Sequence, residues 1–142
     1  MFNFTDVSAG DFAPLEPGIY KAFVEECRFK TTKAGTGEYL NVQFKLPDLN
    51  RVVFGIYNLL NPNPKAVEIA MKDVTAMLIA MGYKQEDLSG IEKHMLLEMI
   101  DQKDVMLKLK IERDDTYGDK NKIVGYSPVK APISKPMDDL PL

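Results

Sequence analysis

The chain has 142 residues, of which 45% are hydrophobic and 27% are charged, as in an ordinary globular domain. No apolar run approaches the roughly 20 residues of a membrane-spanning helix, and the first residues lack the basic and apolar regions of a secretory signal. A net charge of -3 argues against polyanion binding over the whole surface, and a single cysteine excludes an internal disulfide. We therefore expect one soluble domain in the cytoplasm, without membrane contact.

Two strands are predicted before residue 47. Residues 18–30 are rich in β-branched and aromatic side chains, and a glycine-bearing loop follows at residues 31–37. Residues 39–46 alternate between apolar and polar side chains, which is typical of a half-buried antiparallel strand. The side chains expected to point inward are Leu40, Val42, Phe44 and Leu46.

A third strand is predicted over residues 51–59, after a turn at residues 47–50. Its Gly55 indicates a bulge or a close approach of another group to the backbone. On our interpretation of its alternation, Val52, Phe54 and Ile56 point inward, whereas Arg51, Val53 and Tyr57 point outward.

The hydrophobic period changes to that of a helix in residues 61–82, where Asn63 is a suitable N-cap, Pro64 a suitable first residue and Gly82 a stop. A shorter helix is predicted over residues 92–100. Residues 104–113 return to alternation, and a polar turn at residues 114–121 leads to a last strand over residues 122–128. The side chains expected to point inward in the fourth strand are Val105, Leu107, Leu109 and Ile111.

Three strands, a helix and two further strands form the element order of an OB-fold, a five-stranded Greek-key barrel. We therefore predict a mainly β fold with helices, in which residues 1–128 form an OB-fold domain. Residues 129–142 form a flexible acidic tail in this prediction. An unrelated α+β sandwich would produce the same order of elements.

Basic and aromatic residues are interleaved around the second and third strands. Aromatic rings stack on any base, and neighbouring cations neutralise phosphates, so this mixture suits single strands without sequence readout. The opposite interpretation is that tyrosines are common in strands and that lysines solvate any exposed face. The candidate DNA-binding residues are Arg28, Lys30, Lys33, Tyr39, Lys45, Arg51 and Tyr57.

The loop between the last two strands is a secondary candidate, because Tyr117, Lys120 and Lys122 lie in it or beside it. Its three aspartates make it weaker as a phosphate site, and a simple solvated hairpin is the favoured interpretation. The aspartates also lack the spacing of an EF-hand loop, so we expect no metal ion there.

Residues that carry catalysis are not evident in the sequence. His94 is the only histidine, and Cys27 lies within the first strand, where we expect a partly buried, inert thiol. The glycines at residues 31–37 match neither a Walker loop nor a Rossmann fingerprint. We therefore predict a protein that is not an enzyme and uses no cofactor.

On the pattern of residues 18–46 and 57–82, the chain resembles a family of small phage proteins of unknown function that are encoded among replication and recombination genes. The resemblance covers roughly residues 15–128. The pattern that carries the resemblance includes Gly18, Tyr20, the Thr/Lys/Gly loop, and the pairs Tyr39–Leu40 and Asn58–Leu59. This resemblance implies a role in phage DNA metabolism, within the cytoplasm of a host cell.

The last six residues, 137–142, resemble the acidic C-terminal tip with which bacterial single-stranded DNA-binding proteins recruit replication and repair enzymes. Here the run has one fewer aspartate, and leucine stands in place of the final phenylalanine. Apolar side chains beside carboxylates suit a hydrophobic pocket rimmed by basic residues. The candidate partner-binding residues are Asp138, Asp139, Leu140, Pro141 and Leu142.

These observations predict a sequence-independent single-stranded DNA-binding protein of phage replication, recombination or repair. Its expected partners are single-stranded DNA and, through the tail, replication or recombination proteins. Assembly into a homo-oligomer is compatible with the sequence. The alternative hypothesis is a protein-interaction module of a phage recombination cassette that does not itself bind DNA.

Overall fold

The computed structural model describes residues 14–113, 115–116 and 118–129. The predicted order of strands and helices is confirmed, and a short 3-10 helix over Gln85–Asp87 is added to it. The strands are β1 (Gly18–Thr31), β2 (Glu38–Leu46), β3 (Arg51–Leu60), β4 (Asp104–Glu112) and β5 (Lys120–Ser127), and the helices are α1 (Pro64–Ala80) and α2 (Lys93–Ile100).

The five strands form one antiparallel sheet in the order β3-β2-β1-β4-β5. Strand β1 is central because its 14 residues pair with β4 at one end and with β2 at the other. A register shift between Val24 and Glu26 lies near this change of partner, and such irregularities bend a strand and increase its twist. Within the described part of the chain, β3 and β5 are not hydrogen-bonded to each other, so the sheet is not a closed barrel.

The inward face of the sheet forms most of the core. All four side chains predicted to point inward from β2 are at most 1% exposed, as are Val105, Leu107 and Leu109 of β4. The prediction for Ile111 is wrong, because this side chain is 41% exposed. The pairing of β1 with β4 ends at Gly18 and Leu109, so β1 does not extend far enough to cover Ile111.

Helix α1 closes one side of the core. Asn63 is its N-cap, and the Asn63 Oδ1 atom accepts a hydrogen bond from the Lys65 backbone N–H at 2.9 Å. The helix ends before Gly82, whose φ of 107° is easily adopted only by glycine. Val74, Met77 and Leu78 are among its buried residues, and the helix packs against β3, β4 and β5.

The predicted faces of β3 are reversed in the structure. Val52, Phe54 and Ile56 are 37%, 55% and 59% exposed, whereas Val53 and Tyr57 are buried. The register with β2 explains this, because residues paired across strands share a face and Tyr57 lies opposite the buried Leu40. A count that is wrong by one residue exchanges every side chain between the two faces of a strand.

Gly55 provides the space for the buried ring of Tyr57. A Cβ atom at position 55 would lie 2.5 Å from the Tyr57 Oη atom and 2.9 Å from two ring carbons. The ring therefore approaches the glycine closely, whereas the register shift between β2 and β3 lies elsewhere, between Glu38 and Leu40.

We expect Gly55→Ala to lower the free energy of unfolding by about 1–3 kcal/mol, as overpacking in a core does. The Tyr57 ring cannot move away cheaply, because it is buried and hydrogen-bonded. Gly125→Ala in β5 is the matched control, since its new Cβ would meet only the Lys108 side chain, at 3.4 Å and beyond. Urea unfolding measures both variants, and equal effects would contradict the role of Gly55.

Candidate nucleic-acid interface

The candidate interface is the outer face of the sheet, which we define as the face opposite the core. Strand register places Lys30 opposite Tyr39, Arg28 opposite Asn41 and Phe23 opposite Lys45 on this face. The structure thus places four of the predicted residues on one face: Arg28, Lys30, Tyr39 and Lys45. Lys33 is exposed in the loop that joins β1 to β2, next to the end of the sheet that carries Lys30 and Tyr39.

The cations of this group differ in their neighbours. Arg28 forms an ion pair with Glu26, and the Lys45 Nζ atom donates a hydrogen bond to the Asn50 Oδ1 atom at 2.6 Å. Lys30 and Lys33 have no ion-pair partner among the residues that the structure describes. These two ammonium groups are therefore the ones that can accept a phosphate without first losing another partner.

The prediction that Tyr57 is a stacking residue is wrong, because its ring is 3% exposed and belongs to the core. The aromatic ring that β3 presents on the outer face is that of Phe54, opposite Gln43 of β2. Sequence reasoning missed Phe54 because both alternating sets of β3 are apolar. Aligning β3 with β2, whose inward and outward residues alternate clearly, would have identified Phe54 as an outer-face residue.

Further cations extend the outer face beyond β2. Lys108 lies between the buried Leu107 and Leu109, and alternation therefore places it on the outer face, as it does Lys110. Register with β4 adds Lys21, which lies opposite Met106. Sequence reasoning missed these residues, although the alternation of β4 contains the signal.

The loop between β4 and β5 is only partly described, since Tyr117 lies outside the described residues. Lys120 and Lys122 lie 3.8 and 3.5 Å from carboxylate oxygens of Glu112, so their charges are already partly compensated. This pairing weakens them as phosphate ligands.

Arg51 lies apart from the outer-face group. It is opposite the buried Leu46 and lines a groove of about 530 Å³ between β3 and β5, which we call the edge groove. Lys120 and Lys122 also line this groove, but so do Asp73, Glu112 and Asp119. The edge groove therefore has mixed charge.

A hydrogen bond between two tyrosines spans the inner side of the edge groove. The Oη atoms of Tyr57 in β3 and Tyr126 in β5 are in contact, 69 residues apart in the chain. Burial raises the pKa of both phenols well above the usual value, so both rings stay neutral. Burial also raises the pKa of the nearby Asp73 carboxyl group, which Lys122 partly opposes. The two edges of the sheet are thus connected by side chains.

An apolar pocket of about 370 Å³, which we call the helix pocket, lies between α1, α2 and the end of β3. Leu59, Leu78 and Leu96 line it, and Lys93 lies at its side. The Lys93 Nζ atom donates to Glu38 at 2.7 Å and is 5.3 Å from the centre of the Phe29 ring. The sequence did not predict this pocket.

Cys27 and His94, the two residues considered for reactivity, lie in surroundings that do not activate them. The Cys27 Sγ atom donates to the Leu97 carbonyl oxygen at 3.6 Å, and burial, with a smaller effect from Asp101, raises its pKa to about 11. Because thiolate is the reactive form, this thiol is poorly nucleophilic at neutral pH. His94 is exposed, 3.7 Å from Glu92. Within the described ranges, no three metal-binding side chains cluster.

Comparison with known proteins assigns the chain to a protein family. The profile of a family described as "Protein of unknown function (DUF669)" matches residues 2–136. No curated protein matches the chain. The five tail residues proposed from the sequence, residues 138–142, lie outside the described part of the chain. None of the described helices is both long and apolar enough to cross a membrane.

Proposed function

The chain belongs to DUF669, a family of proteins of unknown function, and we propose that it binds single-stranded DNA without sequence preference. One observation carries this proposal: the ammonium groups of Lys30 and Lys33, which have no ion-pair partner in the described structure, share one end of the sheet with the ring of Tyr39. The exposed Phe54 lies on the same face, one strand further along.

The proposed mechanism combines stacking with charge neutralisation. Bases stack on Tyr39 and Phe54, and this interaction does not depend on the base because every base has a π-face. The ammonium groups of Lys30 and Lys33 neutralise the phosphates that connect the stacked nucleotides, and counterions are released. Lys21, Lys108 and Lys110 extend the path across β1 and β4. This mechanism includes no catalytic step and no cofactor.

The strand order supports an OB-fold as the finer description of the domain. The helix lies between β3 and β4 in the chain, and the edge strands β3 and β5 face each other across the edge groove. A partly open five-stranded barrel has this arrangement, and its second and third strands commonly bind oligonucleotides. The proposed DNA-binding face includes the same two strands.

The biological setting is proposed from the sequence alone. In this proposal the chain is a phage-encoded protein that acts in replication, recombination or repair in the host cytoplasm. Its partner enzymes bind residues 138–142, in which carboxylates precede an apolar end. A homo-oligomer is compatible with this role.

A second candidate function is a protein-interaction module that does not bind DNA. The helix pocket favours it, because Leu59, Leu78 and Leu96 line an apolar cavity that is open to a partner's side chain. The two functions differ in a single property, which is affinity for DNA.

Titration of a fluorescent oligo-dT strand, repeated at several salt concentrations, tests the proposal. We expect much tighter binding to the single strand than to duplex DNA, and affinity that falls as salt rises. Tyr39→Ala and Phe54→Ala should each weaken binding by roughly 1–3 kcal/mol with little change in the salt dependence. The control Lys72→Ala removes an exposed cation from α1 and should bind normally. Equal affinity for duplex DNA would contradict the preference for single strands, and no binding at low salt would favour the protein-interaction module.

A further inference from the structure

The edge groove exposes a strand edge of a kind that proteins usually cover. Residues 51–57 of β3 line the groove without interruption, and no strand within the described ranges pairs with this side of β3. Val52, Phe54 and Ile56 are also exposed there. A long apolar edge is a site of uncontrolled pairing between chains unless a segment or a partner occupies it.

The chain itself leads into this groove at the first described residue. Pro14 lines the groove. The side chain of Asn121 in β5 forms two hydrogen bonds with the backbone of Leu15. The Leu15 N–H donates to the Asn121 Oδ1 atom at 2.8 Å, and the Asn121 Nδ2 atom donates to the Leu15 carbonyl oxygen at 2.9 Å. These two bonds fix the point from which residues 2–13 extend.

We propose that residues 2–13 of this chain occupy the edge groove and pair with the outer edge of β3. Twelve extended residues reach roughly 40 Å, which exceeds the roughly 34 Å length of a ten-residue strand such as β3. Phe2 and Phe4 are two positions apart, so in an extended chain they share one face and can pack beside the apolar residues of β3. The family profile begins at residue 2, so the segment belongs to the sequence that the family shares.

The occupant is the chain's own segment because of where the chain is anchored. Asn121 holds Leu15 beside the groove, so the preceding residues are present there at a high effective concentration, which a second molecule lacks. The proposed pairing involves the backbone edge of β3, and its evidence includes no observation on DNA. The inference therefore holds or fails separately from the proposed function.

Hydrogen exchange on the full-length protein, compared with a variant that lacks residues 2–13, tests the inference. In the full chain we expect protected amides within residues 2–13 and along β3. Deletion should speed exchange of alternate β3 amides at least tenfold, because an added strand bonds every second residue. The amides of β4 are the internal control and should keep their protection. A synthetic peptide of residues 1–13 should restore protection to the shortened protein.

The alternative occupants give different results. Random-coil exchange of residues 2–13 in the full chain, with β3 unaffected by deletion, would overturn the inference. Protection of β3 that rises with protein concentration would identify a second copy as the occupant, and protection that appears only with oligo-dT would identify DNA. If the shortened protein does not fold, Phe4→Asp in the full chain should expose the same β3 amides, whereas Asn3→Asp should not. Unchanged exchange in both variants would contradict the proposal.

Discussion

Replacing Lys30 and Lys33 together by glutamate is expected to weaken binding of oligo-dT strongly. These ammonium groups have no ion-pair partner among the described residues, so each is available to a phosphate. Loss of two neutralised phosphates should lower the slope of log affinity against log salt by about 1.4. The two added carboxylates also repel the strand, and we expect affinity to fall roughly a hundredfold or more at low salt.

The matched control is Lys72→Glu with Lys84→Glu, which makes the same change in net charge on exposed residues outside the sheet. Both double variants should unfold at nearly the same urea concentration as the parent, because exposed charges contribute little to stability. A similar loss of affinity in the control would mean that net charge alone steers DNA to the protein. Unchanged binding by the Lys30 and Lys33 variant would place the interface elsewhere.

Phe44→Ala is expected to lower the free energy of unfolding by about 3–5 kcal/mol, a large part of the roughly 5–15 kcal/mol typical of a domain. Phe44 is fully buried in β2, between the inward side chains of the neighbouring strands. Truncation removes apolar contact and leaves a cavity that rigid neighbouring strands cannot fill. Urea unfolding followed by circular dichroism measures the loss.

Phe54→Ala is the control for this experiment, because it makes the same chemical change on the adjacent strand β3 but on the outer face. We expect it to cost no more than about 1 kcal/mol, since Phe54 is 55% exposed. Equal losses from the two variants would contradict the assignment of faces. A greater loss from Phe54→Ala would restore the faces that the sequence of β3 suggested.

The sequence predicted those parts of the fold that depend on local patterns. In β2, polar side chains separate every pair of inward residues, so only one face is possible. In β4, Lys108 does the same between Leu107 and Leu109. The N-cap Asn63 and the stop at Gly82 are likewise local signals, and both were identified correctly.

Strand β3 could not be assigned in this way. Val53 and Tyr57 on one face are as apolar as Val52 and Ile56 on the other, so alternation does not distinguish the faces. The deciding contacts are with residues far away in the chain, since Tyr57 meets Tyr126 across 69 residues. The same limit explains the candidate site, in which Tyr57 was included and Phe54 was missed. The edge groove and the helix pocket also form between elements that are distant in the sequence, so no local pattern predicts them.

The division of β1 between two partners has a consequence for how the protein folds. Its pairing with β2 closes a short loop, whereas its pairing with β4 joins residues far apart in the chain, such as Phe23 and Asp104. Closing the longer loop costs more entropy, and non-local pairing slows folding. A chain that emerges from the ribosome also completes β1, β2 and β3 before β4 is made. We therefore expect the three-stranded meander to form first, and the β4–β5 hairpin to dock onto β1 in a later step that completes the core.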